Sequence, residues 1–190
     1  MKRIKFIVLI LLMSSISIQA QTLHSQEPID LLKSMEKLNA SPNEQQLKQV
    51  RQAMLQLNNE ARVNPEYRKL AGCKTALTIS SGLTPLVLDK RLNEMAQEQA
   101  EYQASIQKVT HDNSNYGNDY GKRSNTHVDW KDKLAGAAEA CGGGTLSSYP
   151  MSWMKSETHY RPTWNLDKQI VNAVGFGAAK GNDGKWYVAA

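Results

Sequence analysis

Apolar residues recur at helical spacing in three stretches and alternate in a fourth. Leu31, Leu32, Met35 and Leu38 form a short first stripe. Leu47, Val50, Met54, Leu57 and Ala61 form a longer one, with Gln45, Gln46, Lys48, Gln49, Arg51 and Gln52 on its polar side. Leu92, Met95, Ala96, Gln99, Ala100 and Ala104 form the third, opposite the solvated Glu94, Gln97, Glu98 and Glu101. Each spacing predicts an amphipathic helix with one face on a core. Ser41-Pro42-Asn43-Glu44 reads as a capping box opening the second helix, and Asn64-Pro65 closes it. Asp89 caps the third. From Gln169 to Ala179 the pattern changes to period two, Gly181-Asn182-Asp183-Gly184 is a turn, and Lys185–Ala189 returns, so the chain ends in a hairpin. Ser148 and Pro150 open one more helix, which Pro162 ends; on it Trp153, Ser156, Glu157 and Tyr160 share a face, and His159 neighbours Ser156.

The first twenty residues follow another pattern. Lys2, Arg3 and Lys5 precede an unbroken apolar run, Phe6 to Met13, and serines lead to Ala20. This order predicts a signal peptide over 1–20, a lead-in over 21–44 that is either a packed helix or a loose arm, and a main domain over 45–190. The run is too short for a stable membrane anchor. Export changes the charge: the formal +5 loses three positives and no negatives, leaving +2, which gives no electrostatic support to a nucleic-acid partner. An exported chain with two cysteines, Cys73 and Cys141, is expected to bridge them, with two buried thiols as the other reading.

Between the helices stand the groups that carry chemistry. His111 sits where a helix meets a long loop, Asn115 to Lys122. Glu139 is a lone carboxylate in a run of small residues that ends in three glycines, where an acid needs a partner. Tyr67 to Ser81 reads as irregular, and His127 reads as surface.

Four features lie in fixed order: Leu57–Pro65 (LNNEARVNP), Pro85–Ala96 (PLVLDKRLNEMA), His111, and Ala138-Glu139 ahead of Trp153-x-x-Ser156-x-x-His159. The series resembles the CAP superfamily (SCP domain; cysteine-rich secretory proteins, antigen 5 and pathogenesis-related proteins), in its bacterial branch. The resemblance implies an α+β fold, a three-layer α-β-α sandwich with a small antiparallel sheet between helices. It also implies a cavity lined by His111, Glu139, Ser156 and His159, with Ser156 where many animal members carry a second Glu and Glu157 next to it. The chain departs from the family series with Ala138 and Ala140 around the acid and Cys141 after it. The function this implies is a secreted or periplasmic binding module for a divalent metal, zinc being the natural choice for His111 and His159, or for a small lipid, sterol or peptide ligand. The alternative is a hydrolase, with Ser156, His159 and Glu139 as nucleophile, base and orienter, or with Glu139 orienting a metal-bound water.

Overall fold

The computed structural model describes residues 26–70, 83–128, 138–156, 159 and 172–190. The expected signal peptide lies outside them. The lead-in is a packed helix, α1 (26–36), whose Leu32 and Met35 enter the main core while Glu36 Oε1 accepts a 2.6 Å hydrogen bond from Ser147 N.

Helix α2 (Glu44–Val63) buries the expected stripe. Its cap differs from the expected one: Asn43 Oδ1 accepts from Gln46 N, and Asn43 N donates to Gln46 Oε1. Ser41 is occupied elsewhere, accepting from Lys180 N at 2.9 Å. Asn64 ends α2 as expected, and Pro65 opens α3 (Pro65–Leu70), so the segment after 64 begins as a helix rather than as irregular chain. The two stretches that point to the family meet here. Asn59 bonds both backbone groups of Leu86, at 2.7 and 2.9 Å, and Arg62 Nε donates to Thr84 O at 2.9 Å. They aim the chain into β1 (Val87–Leu88) and α4 (Lys90–Ile106), which Asp89 caps.

After α4 the expected loop folds into a short 3-10 turn, Ser114–Tyr116, and a helix, α5 (Tyr120–His127), capped by Asp119. The glycines after Glu139 form an edge strand, β2 (Cys141–Gly144). They are needed for close approach: a Cβ on Gly142 would come 2.4 Å from the Tyr149 ring. Helix α6 (Tyr149–Lys155) follows, with Ser148 at its N-cap position but making no capping bond.

The expected single strand over 169–179 is split. β3 (Ala173–Val174) pairs in parallel with β1, the chain breaks at Gly175-Phe176, and β4 (Gly177–Lys180) pairs with β5 (Trp186–Ala189) across the turn. The break comes where the strand passes against α4: Phe176 N donates to Asn93 Oδ1 at 2.9 Å. The antiparallel sheet has the order β2-β5-β4. Alternation along β5 serves two layers. Trp186 and Val188 join the core under α1, α2 and α6, whereas Tyr187 and Ala189 face α4. The architecture is the expected α-β-α sandwich. Among the described residues no helix is long and apolar enough to cross a membrane.

Candidate functional site

On the α4 side of the sheet the packing turns polar. Gln99 and Gln103, one helical turn apart, are fully buried. Gln99 Nε2 donates to Thr110 O at 2.6 Å and Asp112 O at 3.3 Å. Gln103 Oε1 accepts from Thr110 N at 3.3 Å, and its Nε2 donates to Val188 O at 3.4 Å. The two glutamines therefore fasten the turn that carries His111 to helix and sheet.

The centre of the site is an ion pair that the sequence reading missed. Arg123, its side chain 1 % exposed, binds Glu139 Oε1, and Glu139 is 5 % exposed. The same guanidinium reaches Gln99 Oε1 and lies 3.5 Å from His111 O. Buried charges persist when paired, and this is the partner that Glu139 required. The other carboxylate oxygen bonds His111 Nδ1 at 2.9 Å. His111 itself stays 59 % exposed, so a fixed imidazole stands at the surface on a buried ionic base. The bond to Glu139 raises the His111 pKa against the opposing effects of burial and of Arg123.

Cys141 adjoins the same carboxylate, with Sγ 3.5 Å from Glu139 Oε2. Expected in a bridge to Cys73, it carries a free, buried thiol here; Cys73 lies outside the described residues. Burial first, then the charge of Glu139, pushes this thiol well up. The Tyr120 hydroxyl belongs to the cluster too. It is pushed up to about 12 by burial and by the charge of Glu139, with Cys141 adding to the effect.

The second expected group sits beside this one. Helix α6 stops at Lys155, not at Pro162, and Ser156 is extended, so Ser156 and His159 do not share a helix face. They meet through a bond: Ser156 Oγ lies 2.8 Å from His159 Nδ1. The ring stacks on Trp153 with centroids 6.4 Å apart. Burial and the nearby His111 lower the His159 pKa, and a hydrogen bond to the Cys141 backbone raises it part of the way back. Glu139 is engaged by Arg123, His111 and Cys141. Glu157 lies outside the described residues. Among the described residues, the group of metal-ligating atoms that the fold brings together is His111, Glu139 and Cys141, with one donor from each within 4.8 Å of the others; His159 is not part of that group.

His127 is not plain surface. It is half-buried on Glu98, with Nε2 to Oε2 at 2.6 Å, and Tyr116 OH donates to the same carboxylate at 2.9 Å.

No curated protein matches the chain. Among solved structures it resembles an extracellular protein containing an SCP domain from Bacillus anthracis str. Ames. The TM-score is 0.51 and the identity 17 %, over 78 % of this chain and 43 % of that one. The chain thus spans less than half the length of that relative. An outer surface protein from Borrelia burgdorferi aligns at a TM-score of 0.45 and 17 % identity, over 67 % of this chain and 92 % of its own. Residues 55–190 match the pattern of the Cysteine-rich secretory protein family, and the chain belongs to that family, CAP.

Proposed function

We propose that this chain is a secreted binding module whose exposed imidazole, His111, takes a divalent cation of the zinc class, with His159, turned away from its bond to Ser156, as the second imidazole. The observation that carries the reading is the chain Arg123–Glu139–His111. A buried carboxylate, neutralised by a guanidinium, lies against Nδ1 of an exposed histidine, so an imidazole nitrogen and a carboxylate oxygen already face one another where a cation could take both. Imidazole nitrogen and carboxylate oxygen are both ordinary zinc ligands, and the guanidinium keeps the carboxylate ionised and in place. A cation bound there would act as a Lewis acid toward an oxygen ligand. Residues of the chain orient the imidazole, keep water from the buried base of the site and balance its charge.

The test is a zinc titration read by thermal unfolding. Zinc at about a hundred times its Kd should raise Tm by roughly 5–10 °C at pH 7.5. His111→Ala should remove most of that shift and His159→Ala a large part of it. His127→Ala should keep it, since that ring serves Glu98. Full shifts in both of the first two variants refute the reading. One contact favours a second reading, hydrolysis: the 2.8 Å bond between Ser156 and His159 pairs a hydroxyl with a base. Ester turnover by wild-type protein, lost in Ser156→Ala and indifferent to zinc, would establish it in place of the first.

A further inference from the structure

Cys141 stands outside the family series, yet it lies at the heart of this site. Resting on the metal-binding reading, we propose that Cys141 is a thiolate ligand of the bound cation, which makes this a soft-donor site for zinc, cobalt or cadmium rather than for magnesium or calcium.

Geometry carries the proposal. Glu139 Oε2 is 2.9 Å from His111 Nδ1 and 3.5 Å from Cys141 Sγ, and the three donors lie within 4.8 Å of one another. Ligands at ordinary zinc distances are separated by roughly 3.3–3.8 Å along the edges of a tetrahedron. The 3.5 Å sulfur–oxygen separation already fits, the 2.9 Å nitrogen–oxygen pair must open by about half an ångström, and no pair must close by more than about an ångström. The elements that carry them converge from three places. Cys141 opens β2 in register with Ala189 and packs on Ala96, His111 hangs from the turn held by Gln99 and Gln103, and Glu139 sits on Arg123 of α5.

Charge and unmet hydrogen bonding agree with this placement. With Sγ deprotonated the cluster holds two negatives, Glu139 and Cys141, against one positive, Arg123, a net negative charge suited to a dication. The Tyr120 hydroxyl is buried, responds to the charges of Glu139 and Cys141, and has no hydrogen-bond partner among the described residues. A buried hydroxyl in that state calls for an oxygen partner. A water or ligand oxygen carried by the cation would supply one. Imidazole, thiolate and carboxylate together select borderline and soft cations over hard ones. Ligation breaks the S–H bond and forms a sulfur–metal bond; the proton goes to solvent and no electron is transferred.

Cobalt(II) added to the mature chain, kept reduced with a phosphine, reads the proposal directly. The expected result is the intense near-ultraviolet sulfur-to-cobalt charge-transfer absorption, together with visible bands of tetrahedral intensity. Cys141→Ser should lose the near-ultraviolet absorption and bind cobalt roughly tenfold or more weakly by calorimetry. Zinc should also protect Cys141 of the wild-type chain from alkylation, a readout that needs no variant to fold. Cobalt that binds through His111 without the sulfur absorption overturns the thiolate ligand and leaves the metal-binding reading standing. No binding of cobalt or zinc at all ends both. A Cys73–Cys141 disulfide in exported protein, found by mass spectrometry without reduction, also overturns the thiolate ligand.

Discussion

On one face of the β2-β5-β4 sheet, Ala178, Trp186 and Val188 press against Leu47, Val50, Met54 and Leu57 of α2 and against Leu32 and Met35 of α1. On the other face, Ala179, Tyr187 and Ala189 meet a helix that offers Ala96, Ala100, Ala104 and two buried glutamines. The first face is held by apolar area, and tolerates exchange of one aliphatic side chain for another of similar volume. The second is held by close backbone approach and by directed bonds, each fixed at both ends. That face carries the site because a hydrogen-bonded network holds His111 and Glu139 in one arrangement, where apolar contact alone would leave them free to rotate.

The largest expected effect lies at the base of the polar face. Arg123→Ala leaves Glu139 buried without its counter-charge and should destabilise the protein by about 3–5 kcal/mol. That is as much as Leu57→Ala on the apolar face, at about 2–5 kcal/mol. The double variant Arg123→Met/Glu139→Leu removes both charges and should regain most of the loss. Urea unfolding of the four proteins decides the matter. An Arg123→Ala cost under about 1 kcal/mol would make the ion pair incidental to the fold.

Next in size is the close approach of β4 to α4. A Cβ on Gly177 would lie 2.2 Å from Ala96 O, which is backbone and cannot rotate away. Gly177→Ala should cost about 1–3 kcal/mol by overpacking. The same change at Gly184, where nothing lies within 4 Å, should cost less and act only through its left-handed backbone, φ +77°. Equal losses at the two positions would mean that the polar face is looser than described.

The apolar face was the legible one. Leu47 to Ala61 showed the helical period in sequence because α2 buries one continuous stripe, and Trp186 and Val188 showed the strand period for the same reason. The family, too, was legible, from Leu57–Pro65, Pro85–Ala96 and the order of His111, Glu139 and His159. The base of the site was hidden. Arg123 sits in Tyr120–His127, which has no apolar stripe, and it is buried by a carboxylate sixteen residues away rather than by its own helix. His127 looked exposed because its partner, Glu98, belongs to what reads as the solvated side of α4. The end of α6 was misplaced because Pro162 sets only the last residue a helix can reach. Ser156 leaves the helix earlier and spends its hydroxyl on His159.

The smallest effect, and the one that separates the faces by kind, is that of pH on the metal-free protein. Among the described residues, Leu57 packs in a cluster of hydrophobic side chains, so stability lost by Leu57→Ala should be the same at pH 5.5 and pH 8. The polar face carries two histidines shifted in opposite directions. The Glu139 bond raises His111, so its contribution is complete below the ordinary value of 6.5 and is lost as pH rises through the higher folded value. Burial and the charge of His111 lower His159, so its contribution is present above 6.5 and is lost as pH falls through the lower folded value. NMR titration of the imidazole C–H signals should therefore place the His111 midpoint above 6.5 and the His159 midpoint below it. In His111→Gln the His159 midpoint should move up, because a neighbouring positive charge is gone. It should not reach the ordinary value, because burial is the larger cause and stays. Zinc must displace the proton that Glu139 helps hold on His111. Its thermal shift should thus begin to weaken on the alkaline side of 6.5 as pH falls, earlier than an unpaired histidine would allow. Midpoints in the reverse order would mean that Glu139 serves His159 instead, and would return the site to the arrangement in which serine, histidine and acid act as one unit.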